Sequence, residues 1–161
     1  MLKLPLLELF LRGIPEGFLI IFSVYAFSKT IVNKKRYLIS SIIFLVAVYL
    51  IRLLPIQFAV HTILGLIMTI VLTVNINKIP IIKSIQACIV ATIVESICEG
   101  LNILVIQYVF RLDINYVFNE PTLKIVFGIP SLLIFACIAI FYYISKFKRK
   151  ELRDVFNGEI S

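Results

Sequence analysis

Charge is scarce in this chain. Asp, Glu, Lys and Arg make up 16% of its 161 residues, too few to cover a soluble core of that size. Cysteine is just as sparse. Cys88, Cys98 and Cys137 are odd in number and form no CxxC pair, which argues against a disulfide framework or a zinc site and leaves packing roles. A glycine-rich phosphate loop, an HExxH metal motif and a phosphoacceptor signature are all missing, as are internal repeats. Cys98 and His61 could be paired as thiol and imidazole, but no third group is specified to orient them. No enzymatic activity, metal or cofactor is therefore expected. A cleavable leader is not expected either, because Glu8, Arg12 and Glu16 interrupt the first apolar run and no A-x-A site follows.

What the chain has is apolar length. Hydrophobic residues make up 61% of it, and mean hydropathy is +1.05. Several runs approach the twenty residues that match a hydrocarbon layer about 30 Å thick. Five can be marked, at 4–28, 37–54, 56–75, 80–110 and 123–145. Within the first, "GIPEG" should kink the helix, since Pro15 removes a backbone donor. The fourth is long enough to tilt or project. The expected fold is an all-α integral membrane protein, multi-pass in the cell membrane. It comprises a bundle of about five transmembrane helices over 1–146 and a basic tail over 147–161 whose helix-competent residues run towards Gly158. Ser40, Ser41, Gly65, Ser96 and Gly100 are expected to mark close approaches between helices.

Orientation follows from the links. Lys29, Lys34, Lys35 and Arg36 follow the first run, and Lys78 and Lys83 follow the third. Lys146, Lys148, Arg149, Lys150 and Arg153 fill the tail. With an odd number of spans these regions share one side, which the positive-inside rule makes cytoplasmic, leaving the N-terminus outside. The net charge of +7 is then topogenic and calls for no nucleic acid. Membrane lipid is the expected partner, with anionic headgroups beside the tail.

Intramembrane ionisable residues are costly and tend to face a bundle interior or a water-filled cavity. Here they gather in the expected outer half: Arg12 and Glu16 in the first run, Arg52 ending the second, Gln57 and His61 opening the third. In the fourth run, "VESICEGLN" carries Glu95, Glu99 and Asn102 at intervals of four and three, which is one helical face. Arg12 and Arg52 are the cations at comparable depth, so the expected pairs are Arg12 with Glu16 and Arg52 with Glu99. Two readings stay open. The charges close on each other and fix helix register, or they line an outward-facing polar pocket that contacts a ligand. His61 reads as a hydrogen-bonded residue near a helix end, or as a pH-responsive element.

The stretches "LFLRGIPEGFLIIFSVYAFS", "YLIRLLP", "HTILGLI" and "CEGLNILVIQYVF" resemble the N-terminal multi-span sensor region of agr-like, GHKL-type sensor histidine kinases of Firmicutes, over about residues 4–146. The resemblance implies helices that detect an extracellular signal, often a peptide, and pass the change to a kinase. No phosphoacceptor His or ATP-binding domain occurs through Ser161, so kinase activity is not carried over. The expected function is a non-catalytic membrane sensor or regulatory module. Its implied partners are a signalling chain such as a kinase, or a second copy of itself. The alternative is a substrate-binding membrane subunit of a small-molecule transporter, for which the same pocket would serve.

Overall fold

The computed structural model describes residues 9–53, 58–109, 111 and 121–152, and all of its extended elements are helices. A π-helical turn, Leu9–Gly13, leads into α1 (Ile14–Phe27). Then follow α2 (Lys34–Leu53), α3 (Phe58–Asn75), α4 (Ile81–Tyr108) and α5 (Pro121–Lys148). Five apolar runs have become five helices.

Their ends differ from the hydropathy boundaries for local reasons. Pro15 occupies the first turn of α1, where its missing N–H costs nothing, and the turn before it widens to π geometry. The expected kink is thus a wide turn that carries Arg12. In α2 the helix starts at Lys34, because the Asn33 carboxamide oxygen accepts the Arg36 N–H at 3.4 Å. The lysines of that first turn are exposed, with charge free to reach polar surroundings. The tail does not prolong α5 as its composition suggested. Lys150 N–H bonds to the Phe147 carbonyl at 3.0 Å and Glu151 N–H to that of Lys146 at 3.1 Å, closing the helix, and Leu152 is buried beyond it. Gly158 and the link after Arg111 lie outside the described residues.

α1 is the central helix. It packs against α2, α4 and α5, while α2, α3, α4 and α5 pack on one another in chain order. The packing combines an apolar core, with Ile21, Val24, Tyr25, Phe44 and Phe135 buried, and small hydroxyl residues. Ser23, Ser40, Ser41, Thr73 and Ser84 are fully buried, whereas Leu38, Ile42, Val46 and Leu50 of α2 and Leu133, Ile140 and Phe141 of α5 are exposed. Large aliphatic residues outside and small hydroxyl residues inside is the arrangement that lipid solvation favours. Three stretches, Phe10–Phe27, Ile81–Tyr108 and Ile125–Lys148, are long and apolar enough to cross a membrane, and Val60–Asn75 is a shorter apolar helix. These features support membrane association.

The interior is joined by aromatic edges and a few hydroxyl contacts. Tyr37 meets the rings of Phe18, Phe22 and Tyr25 edge-on and donates its hydroxyl to the Phe18 carbonyl at 3.0 Å, tying α2 to α1. Thr73 and Ser84 share a hydrogen bond of 2.5 Å between α3 and α4. Close helix approaches occur at Gly17, where an added Cβ would lie 2.8 Å from Leu45 Cδ2, and at Gly128 beside Arg12. The small residues expected to do this divide. Ser40 and Ser41 are buried, but Ser96 is exposed, and Gly65 and Gly100 have open space where a Cβ would stand. Helix phase rather than residue size decides which small residues meet a neighbour. Cys88 and Cys98 are buried, while Cys137 is exposed on α5, away from the packing role expected of it.

Candidate functional site

The charges borne by the apolar helices meet at Arg12. Its Nη2 donates to Glu99 Oε1 at 2.6 Å, joining the π turn to α4 across 87 residues of sequence. Its Nε faces Glu16 Oε2 at 3.8 Å, an ion pair too long for a hydrogen bond. The guanidinium lies on Gly128 of α5, close enough that an added Cβ would be 3.1 Å from Nη1 and 3.2 Å from Cζ. One side chain therefore touches three helices. Glycine at 128 is what admits it.

The pairing expected from sequence is met in one half. Arg12 and Glu16 pair, as the spacing of four suggested. Glu99 is a partner of Arg12, since α1 packs beside α4, and its expected contact with Arg52 falls on a side chain outside the described residues. The Arg52 side chain and Gln57 lie outside the described residues. Glu95 is one turn from Glu99, within electrostatic reach of Glu16, Glu99 and Arg12. Among the described residues it forms no ion pair. The described cluster is thus one guanidinium among three carboxylates.

Asn102 has a different task. Its Nδ2 donates to the Phe127 carbonyl on α5 at 2.5 Å. Pro130, inside α5, lacks the N–H that would reach the Val126 carbonyl; the Asn102 bond is made one residue on, to the carbonyl of Phe127, and ties α4 to α5. Ser131 adds a local bond to the Gly128 carbonyl at 2.8 Å. His61 sits in the first turn of α3, which packs on α2 and α4 and touches α1 only slightly. Its Nδ1 is buried without a hydrogen-bond partner among the described residues.

Among the described residues, a cavity of about 30 Å³ lies beside Glu16, lined by Gly13, Gly17, Ile20, Phe44 and Leu45 among others, enough for about one water. The charge set there is bridged by its own arginine. The outward-facing polar pocket expected from sequence borders the link after Arg111, which lies outside the described residues.

Sequence reasoning missed the opposite end entirely. There Glu151 receives Lys146 at 2.7 Å and Lys29 at 3.3 Å, latching the end of α5 to that of α1. These two lysines hold its carboxyl below the ordinary glutamate range, mainly through their hydrogen bonds. Only the basic composition of the links hinted at this cluster. Comparison with protein-family models, curated proteins and solved structures finds no match to this chain.

Proposed function

We propose that this chain is a multi-pass membrane sensor or regulatory module without catalytic activity. In this reading its five helices cross the bilayer with the N-terminus outside and the lysine-bearing end in the cytoplasm. The observation that carries it is the Arg12 bridge. A single guanidinium holds α1, α4 and α5 together at the end remote from the lysines, and its strongest contact is one that a charged ligand can replace. Signal detection then consists of competing for that bridge rather than of filling a ready-made pocket, in keeping with the small cavity beside it. A peptide or small molecule bearing a carboxylate would take Arg12 from Glu99, and a cationic one would take Glu99 from Arg12. The resemblance to agr-like sensor regions supports the same reading and names the kind of partner, a kinase on a separate chain.

Two measurements test it. Capture of the tagged full chain from its native membranes should bring down a histidine kinase, and Arg12→Gln or Glu99→Gln should change that kinase's autophosphorylation while leaving the captured amount unchanged. Recovery of transporter ATPase subunits instead would replace the proposal with the transport reading. Orientation is tested separately by labelling Gln107→Cys and Lys35→Cys with a membrane-impermeant maleimide. Position 107 should react in intact cells, and position 35 only after permeabilisation.

A further inference from the structure

The C-terminal ends of α1 and α5 and the first turns of α4 surround an open cavity of about 520 Å³. Lys29, Lys83 and Lys150 line it, together with Ser28, Gln86 and Glu151. Three ammonium groups thus face one carboxylate, with hydroxyl and amide donors between them.

The backbone under two of these lysines is unusual. Lys29 has φ 55° and Lys150 has φ 53°, the left-handed region where a Cβ is strained, which Lys78 and Arg111 also adopt outside the cavity. Both occupy the same place, the residue just past a helix C-cap. Lys29 N–H bonds to the Ala26 carbonyl and Thr30 N–H to that of Tyr25, each at 3.1 Å, matching the pair of bonds that ends α5. Glycine is the unstrained choice at that position. A cation near a helix C-terminus gains from the helix dipole, which could account for either lysine alone. It does not explain why three lysines converge on one cavity. An anion held among them does.

We propose that this cavity binds a phosphate group, presented either by the headgroup of an anionic lipid or by a free phosphate compound on that side of the membrane. Basic pockets between helices at the cytoplasmic face suit such headgroups. Glu151 acts as the internal counter-ion. The phosphate displaces it from Lys29, and Glu151 keeps Lys146. This site uses none of the residues of the Arg12 bridge and stands independently of the sensor reading.

The test is thermal melting of the purified full chain in uncharged micelles, titrated with dioleoylphosphatidylglycerol, dioleoylphosphatidylcholine or sodium phosphate against sodium chloride of equal ionic strength. The variants are Lys29→Gly, Lys150→Gly and Lys83→Gln, with Lys35→Ala as an exposed basic control outside the cavity. Because glycine relieves the strained backbone, the two glycine variants should melt no lower than wild type without ligand, so a lost response cannot be put down to misfolding. Phosphatidylglycerol should raise the wild-type melting temperature and phosphatidylcholine should not. The half-saturating concentration should rise roughly fivefold for each cavity lysine removed, the attraction of one lysine to an anionic headgroup. A lysine-dependent shift with sodium phosphate as well would identify the phosphate alone as sufficient; a shift with phosphatidylglycerol only would identify the lipid. Equal shifts with both lipids, no shift with any phosphate, or an equal loss in Lys35→Ala would overturn the proposal.

Discussion

The Arg12–Glu99 contact should carry measurable coupling energy and the Arg12–Glu16 contact almost none. The perturbations are Arg12→Gln, Glu99→Gln and Glu16→Gln, singly and in the two pairs. At 2.6 Å the first contact is a short charge-assisted hydrogen bond, with the arginine side chain 15% exposed and the carboxylate 41%. Fully buried pairs lose about 3–5 kcal/mol when one partner is removed, and exposed pairs below about 1 kcal/mol. A half-exposed pair with good geometry falls between them, so Arg12→Gln should cost about 2 kcal/mol, with a coupling to Glu99 of about 1.5–2 kcal/mol. The second contact, at 3.8 Å, is an i,i+4 pair without a hydrogen bond, for which about 0.3 kcal/mol is expected. The chain has no tryptophan, so unfolding in mixed micelles titrated with SDS is followed by near-ultraviolet dichroism of the ring cluster formed by Phe18, Phe22, Tyr25 and Tyr37. Equal couplings for the two pairs, or a coupling below about 0.5 kcal/mol for Arg12 with Glu99, would refute the view that this bridge holds α1 to α4.

Further outcomes follow from the packing, those for the glycines and Asn102 being read in the same assay. Gly128→Val should displace the guanidinium lying on it and lose most of its effect in an Arg12→Gln background, because both changes break one contact. Gly65→Ala should stabilise by about 0.5–1 kcal/mol, since its Cβ enters open space, whereas Gly17→Ala should destabilise by about 1–2 kcal/mol as Leu45 is pushed aside. Asn102→Leu removes the hydrogen bond that crosses from α4 to the Phe127 carbonyl on α5 and should cost about 1 kcal/mol. For Glu151 the folded pKa is depressed, so its contribution is complete above the ordinary glutamate pKa and fades as pH falls through the lower folded value. Melting temperatures of wild type and Glu151→Gln should therefore differ at neutral pH and converge in acid.

Much of the architecture could be read from the sequence because membrane helices announce themselves by length and hydropathy. The runs at 80–110 and 123–145 became α4 and α5 with shifts of a few residues. Local pairs were equally legible, Arg12 with Glu16 being fixed by helical periodicity alone. What escaped depends on which helix stands beside which. Glu99 takes Arg12 because α1 is central, a fact that no spacing along α4 encodes. Asn102 seemed to belong to the acid face, yet it is engaged by a backbone carbonyl 25 positions later on another helix. Gly65 and Gly100 were singled out as packing points and face open space, whereas Gly128 makes a close approach. The lysine cavity was hidden for the same reason. Its cations come from three separated segments, and two of them stand where a glycine would have been the usual residue.

Both charged sites are built from the same three helices. α1 supplies Arg12 at one end and Lys29 at the other, α4 supplies Glu99 and Lys83, and α5 supplies Gly128 and Lys150. Between the ends, Ser23, Thr92 and Ser131 turn their hydroxyls to carbonyls of their own helices, at 2.7, 2.9 and 2.8 Å. Those bonds survive any small rigid movement of one helix past another, so they do not resist it. Directional resistance to sliding α1 is concentrated where side chains cross between helices: the Arg12 bridge at one end, the Tyr37 hydroxyl on Phe18 midway, and the Glu151 latch at the other. Opening the bridge removes one of these restraints and leaves the Tyr37 contact and the Glu151 latch. Under the proposed sensor reading, that is how a bundle of this construction would report an event on one face of a membrane at the other, with α1 moving as a rigid element.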